Sequence, residues 1–556
     1  YDSAALTPPT SLNWNNTHIW LHIPPFGMWC VALSMQLFGF TPFTLRLPGL
    51  LFTVAGMVIT YLIGRRLYSR AAGLAGAAFI GFAPYALLLG QGYVFGDMTD
   101  TPLLLLTPLT VLGMVVAYRS GRLRWLALAG AAQGLCYLTK GGIGLAPMAI
   151  VVALYACERF FPPEPGWRKL GLRGPAIYLG TAVLVAAPYT MYTALAFPTS
   201  YAVESRNWSV AFFQNYEGWE RPFDYHATVY LYALYGPGLT LLLAAAVVTL
   251  AIVALRSRSR ADVLVVVWIA ALYVPLSLAV SKAAPMTIGA MPALGLAAAR
   301  LISLGLASKA LTARTLTLGL LLGAAEASVW FLTGRTPLIS KPVLAAYTSG
   351  TPAGFYPYLF RFGDRTWPYA LELGAALVSA LVCIGIIWTL RRLRQAPRLD
   401  AAENATPSPA KQPLVLRLLA RGEPVFVTLV LAASLLVLAA TWLRYDWAIV
   451  GRPADDPGPM QVLGVVVARH TPADATVLLG NTEQLQLNAN FVLAFWAHRD
   501  VYPAVTFPAA DVCSLAQTAA QHGSPLYVLT RGPYGGSPLG SAEGWTLYAP
   551  DCTAQH

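Results

Sequence analysis

Residues 256–282 read RSRSRADVLVVVWIAALYVPLSLAVSK. Arginines crowd the first five positions, an apolar run fills 262–280, and Lys282 closes the stretch. A helix rises 1.5 Å per residue, so about 20 apolar residues cross the hydrocarbon core of a bilayer. The run therefore predicts a transmembrane helix. The arginine cluster marks its cytoplasmic end, because short loops rich in Lys and Arg stay inside. Lys282 then falls on the outer side.

The pattern recurs. Of 556 residues, 56% are hydrophobic and 11% charged, more apolar surface than a soluble core of this size needs. Candidate spans cover 45–64, 72–91, 101–118, 123–139, 142–158, 175–195, 229–255, 262–280, 287–304, 312–332, 367–391 and 424–443. The fold class is an α-helical polytopic membrane protein with about twelve spans. Basic clusters at Arg65–Arg70, Arg119–Arg124, Arg168–Arg173, Arg256–Arg260, Lys309–Arg314 and Arg391–Arg421 follow every second span and face the cytoplasm. The formal charge of +12 thus reports topology and not a nucleic-acid stripe. Tyr1 would lie outside with nothing ahead of it to carry it across, which predicts a signal-anchor helix before Tyr1 and about thirteen spans natively.

Residues 1–443 read as the membrane bundle with its outer loops, and 396–412 (APRLDAAENATPSPAKQ) as a flexible cytoplasmic linker within it. From 444 to 556 short β-like runs, 475–480 and 525–530, flank a helical stretch at 512–522 and predict a small exported α/β domain. Cys513 and Cys552 both lie there, and an oxidising compartment would permit a disulfide between them. The outer loop 333–366 reads as a partly ordered cap.

Charge at the ends of membrane helices carries the functional signal, since unpaired charge is costly there. Asp97 and Asp100 stand three residues apart at a helix start, in GDMTDTP over 96–102. They suit a positioned acid or a metal site; helix capping by Asp100 is the structural alternative. Lys140, in YLTKGG, and Lys282 are outer cations that would hold a phosphate or snorkel to headgroups. The loop 201–228 mixes Glu217, Arg221 and His226 with aromatic residues including Tyr216 and Trp219, a composition that suits a sugar. His18 and His22, beside Pro24-Pro25, either hold the juxtamembrane loop or ligate a divalent metal (Zn, Mg or Mn), with Glu217 as a further ligand.

The order of these elements resembles a known family. His22-Ile23-Pro24-Pro25, Ala32-Leu33-Ser34, Leu37-Phe38-Gly39, Leu45-Arg46-Leu47-Pro48 and Leu62-Ile63-Gly64-Arg65-Arg66-Leu67, then Thr99-Asp100, Leu138-Thr139-Lys140-Gly141 and Ser281-Lys282, are similar to bacterial GT-C glycosyltransferases. That group includes protein O-mannosyltransferases and the lipid A aminoarabinose transferase. The resemblance covers roughly 17–300 and implies transfer of a sugar, with inversion, from a polyprenyl-phosphate donor to an envelope acceptor. The implied setting is the periplasmic face of the bacterial inner membrane, and the implied acceptor is lipid A or another glycolipid or glycan. By position it implies Asp100, with Asp97 beside it, as the acidic catalytic residue of the second outer loop. The family's diagnostic aspartate after its first helix has Asp2 as a stand-in here or, the favoured reading, lies in the segment expected before Tyr1. Lys140, Lys282 and Arg221 become donor-phosphate residues, and His22, His18, Glu217, Tyr216, Trp219 and His226 line the substrate pocket. His22 stands where aminoarabinose transferases carry a glutamate, and Ile23 replaces their phosphate-binding lysine. A protein acceptor, or a flippase for lipid-linked glycans, are the competing functions. A transporter would place paired charges near mid-bilayer, whereas here they sit at helix ends on one face.

Overall fold

The computed structural model describes residues 21, 23–83, 86, 89, 97–214, 223, 225–226, 237–282, 284–332, 367–399, 414–450, 458–480, 493–494, 496–504 and 511–552. Helix α1 (Phe26–Phe38) leads into α2 (Pro42–Leu67) and α3 (Arg70–Phe82). Next come α4 (Asp97–Ser120), α5 (Arg124–Lys140), a 3-10 turn (Gly141–Leu145), α6 (Met148–Phe160), α7 (Arg173–Ala196) and α8 (Pro198–Phe213). The bundle continues with α9 (Pro237–Ser257), α10 (Arg260–Leu278), a second 3-10 turn (Ala284–Ala290), α11 (Met291–Ala307), α12 (Leu311–Leu332), α13 (Trp367–Leu399) and α14 (Leu414–Val450).

Each of the expected spans contains a helix. Among the described residues six helices are long and apolar enough to cross a membrane, and seven if α5 with its turn plus α6, bent by 73°, count as one span. Local chemistry sets their starts. Thr41 and Thr44 form a reciprocal capping box at 3.1 and 3.2 Å ahead of α2, with Pro42 in the first turn. Ser69 caps α3 through the Ala72 amide at 3.1 Å.

Leu184, Leu195, Leu255 and Leu436 remain exposed on the outside of the bundle, as a lipid-facing surface requires. Inside, Ile63, Ile80, Leu104, Tyr118, Tyr178, Trp268 and Met291 belong to one buried core. Glycines allow the backbones to approach: a Cβ on Gly56 would strike the Leu104 carbonyl, and one on Gly130 the Tyr178 carbonyl and the Thr181 hydroxyl.

The basic ends of α4, α6 and α10 are tied together. Arg168 N donates to Tyr118 O at 2.6 Å, Arg119 lies 4.8 Å over the Trp167 ring, and Arg260 N donates to Glu164 Oε2 at 2.9 Å. Glu423 of α14 pairs with Arg314 of α12 and Arg391 of α13 at 2.6 and 2.7 Å. Asp100, Lys140 and Lys282 occupy the opposite ends of their helices, so the charge asymmetry of the sequence becomes a physical polarity of the bundle.

Two segments differ from expectation. The stretch 198–213 was expected within an outer loop but forms α8, because Pro198 starts it at a compatible first-turn position and no breaker intervenes before Gln214. The stretch 396–412 was expected as flexible linker, yet its first four residues close α13, and 400–412 lies outside the described residues. The expected cap 333–366 lies outside them as well.

Beyond α14, helix α15 (Gly458–His470), β1 (Thr476–Leu479), β2 (Asp500–Pro503), α16 (Val512–Gln521), β3 (Leu526–Thr530), β4 (Gly536–Ala542) and β5 (Trp545–Pro550) form an α/β unit. Its sheet runs β2-β1-β3-β5-β4, parallel across the first three and antiparallel across the rest. Alternation along β1 decides the two faces. Val477 and Leu479 pack with Leu463 and Val467 of α15, while Leu478 packs with Leu515 and Ala519 of α16. Cys513 and Cys552 form the expected disulfide. Phe40, in the turn before α2, meets the His498 ring at 4.6 Å and joins this unit to the bundle.

Candidate functional site

The outer end of α5 is held by its own sequence. Gly141 takes φ +52°, a region that favours glycine, and the turn folds back so tightly that a Cβ on Gly144 would strike the Cys136 carbonyl. Gln133 Nε2 donates to Gly144 O at 2.6 Å, and Tyr178 OH donates to Gln133 Oε1 at 2.7 Å, which locks the turn to α5 and α7. Lys140 is thereby presented from the last turn of α5. Its ammonium pairs with Asp100 Oδ1.

Both partners are buried. Asp100 is the fourth residue of α4, inside its first turn, so it is not the N-cap that sequence left open. Lys140 and Lys282 are also buried, which sets aside snorkelling to headgroups. The Lys282 ammonium donates to the Ala279 carbonyl at the end of α10. His226 is fully buried, and burial together with the neighbouring Lys282 charge pushes its imidazole down to about 3. It is neutral at physiological pH.

A cavity of about 680 Å³ opens between the two lysine-bearing turns, lined by Tyr137, Leu138, Gly141 and Gly142 on one side and by Ala279, Ser281 and Met286 on the other. Helix α7 contributes Tyr189, Thr190 and Thr193, and α8 contributes Tyr201, Glu204 and Ser205. Leu21 and Pro24, from the double-proline stretch, close one edge. Helix α8 is fixed to the Lys282 segment by Val280 N donating to Phe212 O at 2.9 Å and by Ser281 Oγ donating to Gln214 O at 3.0 Å. The volume lies in the ordinary range for small-ligand sites. Tyrosine rings for stacking, hydroxyls and one buried carboxylate suit a sugar. Asp100, Lys140, Lys282 and His226 are not among the lining residues, although Gly141 and Ser281, next to the two lysines, are.

The structure thus brings Asp100, Lys140, Lys282 and His226 to one end of the bundle. Asp97 is the first residue of α4, and nothing is described of its side chain. Asp2, His18, His22, Tyr216, Glu217, Trp219 and Arg221 lie outside the described residues, and so does the metal pair His22 and Glu217. Among the described residues no group of three or more His, Cys, Asp or Glu side chains is placed to hold a metal. Glu204 belongs to the charged and aromatic stretch 201–228 read as suited to a sugar, whereas Tyr137 and Tyr189 carried no signal of a site in the sequence. The signal was present for α8: positions 201, 204, 205, 209 and 212 form one helical stripe.

Comparison with known proteins agrees with this architecture. The family described as dolichyl-phosphate-mannose-protein mannosyltransferase matches residues 22–192. An undecaprenyl phosphate-alpha-4-amino-4-deoxy-L-arabinose arabinosyl transferase of Pseudomonas fluorescens is 31% identical over 175 residues, and one of Pseudomonas aeruginosa 30% identical over 172. The first match covers 31% of this chain and the second 30%, and each covers 30% of the relative. The crystal structure of ArnT from Cupriavidus metallidurans in the apo state superposes with a TM-score of 0.57 at 16% identity, over 95% of this chain and 88% of that one. The same protein bound to undecaprenyl phosphate gives 0.56 at 16% identity, over 96% and 88%.

The polytopic bundle with its appended α/β sheet has the fold of the ArnT structure. Over the matched stretch the chain is similar to the aminoarabinose transferases, and the match spans about a third of their length.

Proposed function

We propose that the protein transfers a sugar, with inversion, from a polyprenyl-phosphate donor to a lipid or glycan acceptor such as lipid A, at the periplasmic face of the bacterial inner membrane. The observation that carries this reading is the buried Asp100–Lys140 pair and the buried Lys282, each lysine next in sequence to a residue that lines the cavity, Gly141 and Ser281. Asp100 accepts the proton of the acceptor hydroxyl. The freed oxygen forms a bond to the anomeric carbon as the bond from that carbon to the phosphate oxygen breaks. Negative charge develops on the departing polyprenyl phosphate, where Lys140 and Lys282 stabilise it. A single displacement of this kind inverts the anomeric centre.

The curated relatives supply the donor class by their names, and the undecaprenyl phosphate in the ArnT structure agrees with it. Helix-end placement of the charges favours surface chemistry over transport. The test is sugar transfer by full-length protein in native-lipid nanodiscs, wild type beside Asp100→Asn, with mass spectrometry of every lipid and protein that gains a sugar. Transfer lost in the variant supports the assignment, and the product names the acceptor. Sugar-lipid crossing the bilayer with no transfer product would establish a flippase instead. Chelator in the same assay tests a metal bound by His22 and Glu217.

A further inference from the structure

The end of the bundle opposite the cavity carries a set of buried donors that have no acceptor among the described residues. Arg260 is 1% exposed, and its Nε and Nη1 have no hydrogen-bond partner. Trp167 Nε1, Tyr118 OH and Arg119 Nε are likewise buried and unpartnered. These groups lie together. The Tyr118 and Trp167 rings are 6.3 Å apart, Arg119 stacks 4.8 Å over Trp167, and the Arg260 charge acts on Tyr118.

The carboxylates nearby are turned to the main chain. Glu158 accepts from the Leu170 and Gly171 amides at 3.0 and 2.8 Å, and Glu164 from the Arg260 amide at 2.9 Å. Neither carboxylate is hydrogen-bonded to the side-chain donors named above, and a guanidinium withdrawn from water without an acceptor is expensive. We propose that this cluster binds a phosphate-class oxyanion at the basic end of the bundle, held by the Arg260 guanidinium with the Trp167 and Tyr118 tips completing its shell. A guanidinium presents paired N–H groups that match phosphate oxygens, and the indole and phenol add single directed donors. The surrounding Arg122, Arg124, Arg168 and Lys169 give the approach a positive field that favours anionic headgroups of the adjacent leaflet. The oxyanion therefore comes from a phospholipid headgroup or from free phosphate.

The experiment is thermal unfolding of delipidated full-length protein in uncharged detergent. Sodium phosphate, dioleoylphosphatidylglycerol and, as control, sodium chloride at matched ionic strength are added separately. Phosphate or the lipid is expected to raise Tm by about 1–2 °C at saturation, and chloride not to. Response to phosphate identifies a free ion; response to the lipid alone identifies a headgroup. Trp167→Phe, which keeps the ring stacked on Arg119, and Tyr118→Phe are each expected to lose at least half of that rise, and Arg260→Lys nearly all. If Arg260→Lys does not fold, the two ring variants decide. No rise with either anion, or equal rises in wild type and ring variants, would overturn the proposal and leave water as the occupant.

Discussion

At the scale of single residues, Asp100 has two separable roles. It holds a buried lysine in place and is proposed to take a proton. Removing one partner of a buried pair leaves the other charge uncompensated, at about 3–5 kcal/mol, so Asp100→Asn is expected both to lower Tm and to reduce transfer by about 100-fold or more. Combining it with Lys140→Met removes the stranded charge. The double variant should regain much of the lost Tm in a thermal scan while transfer stays absent; recovery of transfer would overturn the roles of both Asp100 and Lys140. His226 gives a pH test. Its folded value of about 3 lies below the ordinary histidine value of about 6.5. Its neutral form therefore supports the fold above about pH 6.5, and that support is lost as pH falls toward 3, because the unfolded chain takes up the proton first. Tm should fall from pH 7 to pH 5, and His226→Gln should flatten that fall. Asp100, Lys140 and Lys282 were legible in the sequence because charge at the end of an apolar run stands out. Their arrangement was not: the acid and the phosphate-binding cation, read as separate features 40 positions apart, are one ion pair, and only tertiary packing states that.

At the scale of elements, glycine contacts set the spacing of the helices that carry the site. Gly130 of α5 faces the Tyr178 backbone and the Thr181 hydroxyl of α7, whereas Gly180 of α7 has nothing within 4 Å of its would-be Cβ. Backbone cannot yield as a side-chain tip can, so Gly130→Ala is expected to cost about 1–3 kcal/mol by overpacking. Gly180→Ala should be neutral or slightly stabilising in the same thermal scans, since alanine favours helix over glycine. The Gln133 bridge to Gly144 O and Tyr178 OH lies one turn away, so displacement of α7 should also raise KM for the donor as the Lys140 turn shifts. The long apolar helices were legible from composition, and the clustering of arginines at one end of the bundle from the basic loops. Helix α8 was not, because its mixture of charge and aromatic rings reads as an interfacial loop unless the stripe from Tyr201 to Phe212 is tested against a 3.6-residue period.

At the scale of the molecule, the arginine-based orientation and the α/β tail make one joint prediction. Cys513 and Cys552 close a loop across 39 positions of sequence, worth about 4 kcal/mol by the chain-entropy relation. The tail can keep that bond only in an oxidising compartment. Cys30, Cys136, Cys157 and Cys383 remain free thiols. Full-length protein, denatured without reductant directly from cells, should therefore label four cysteines with a maleimide, and all six after reduction. Cys513→Ala should leave four labelled plus the stranded Cys552, and should lower the unfolding temperature of the tail more than that of the bundle. Six reactive thiols before reduction would place the tail on the reducing side of the membrane. Because α14 links tail to bundle and Phe40 meets His498, that result would carry Asp100, Lys140 and the cavity to the reducing side as well. It would overturn the orientation read from the arginines and, with it, a sugar transfer on the periplasmic face.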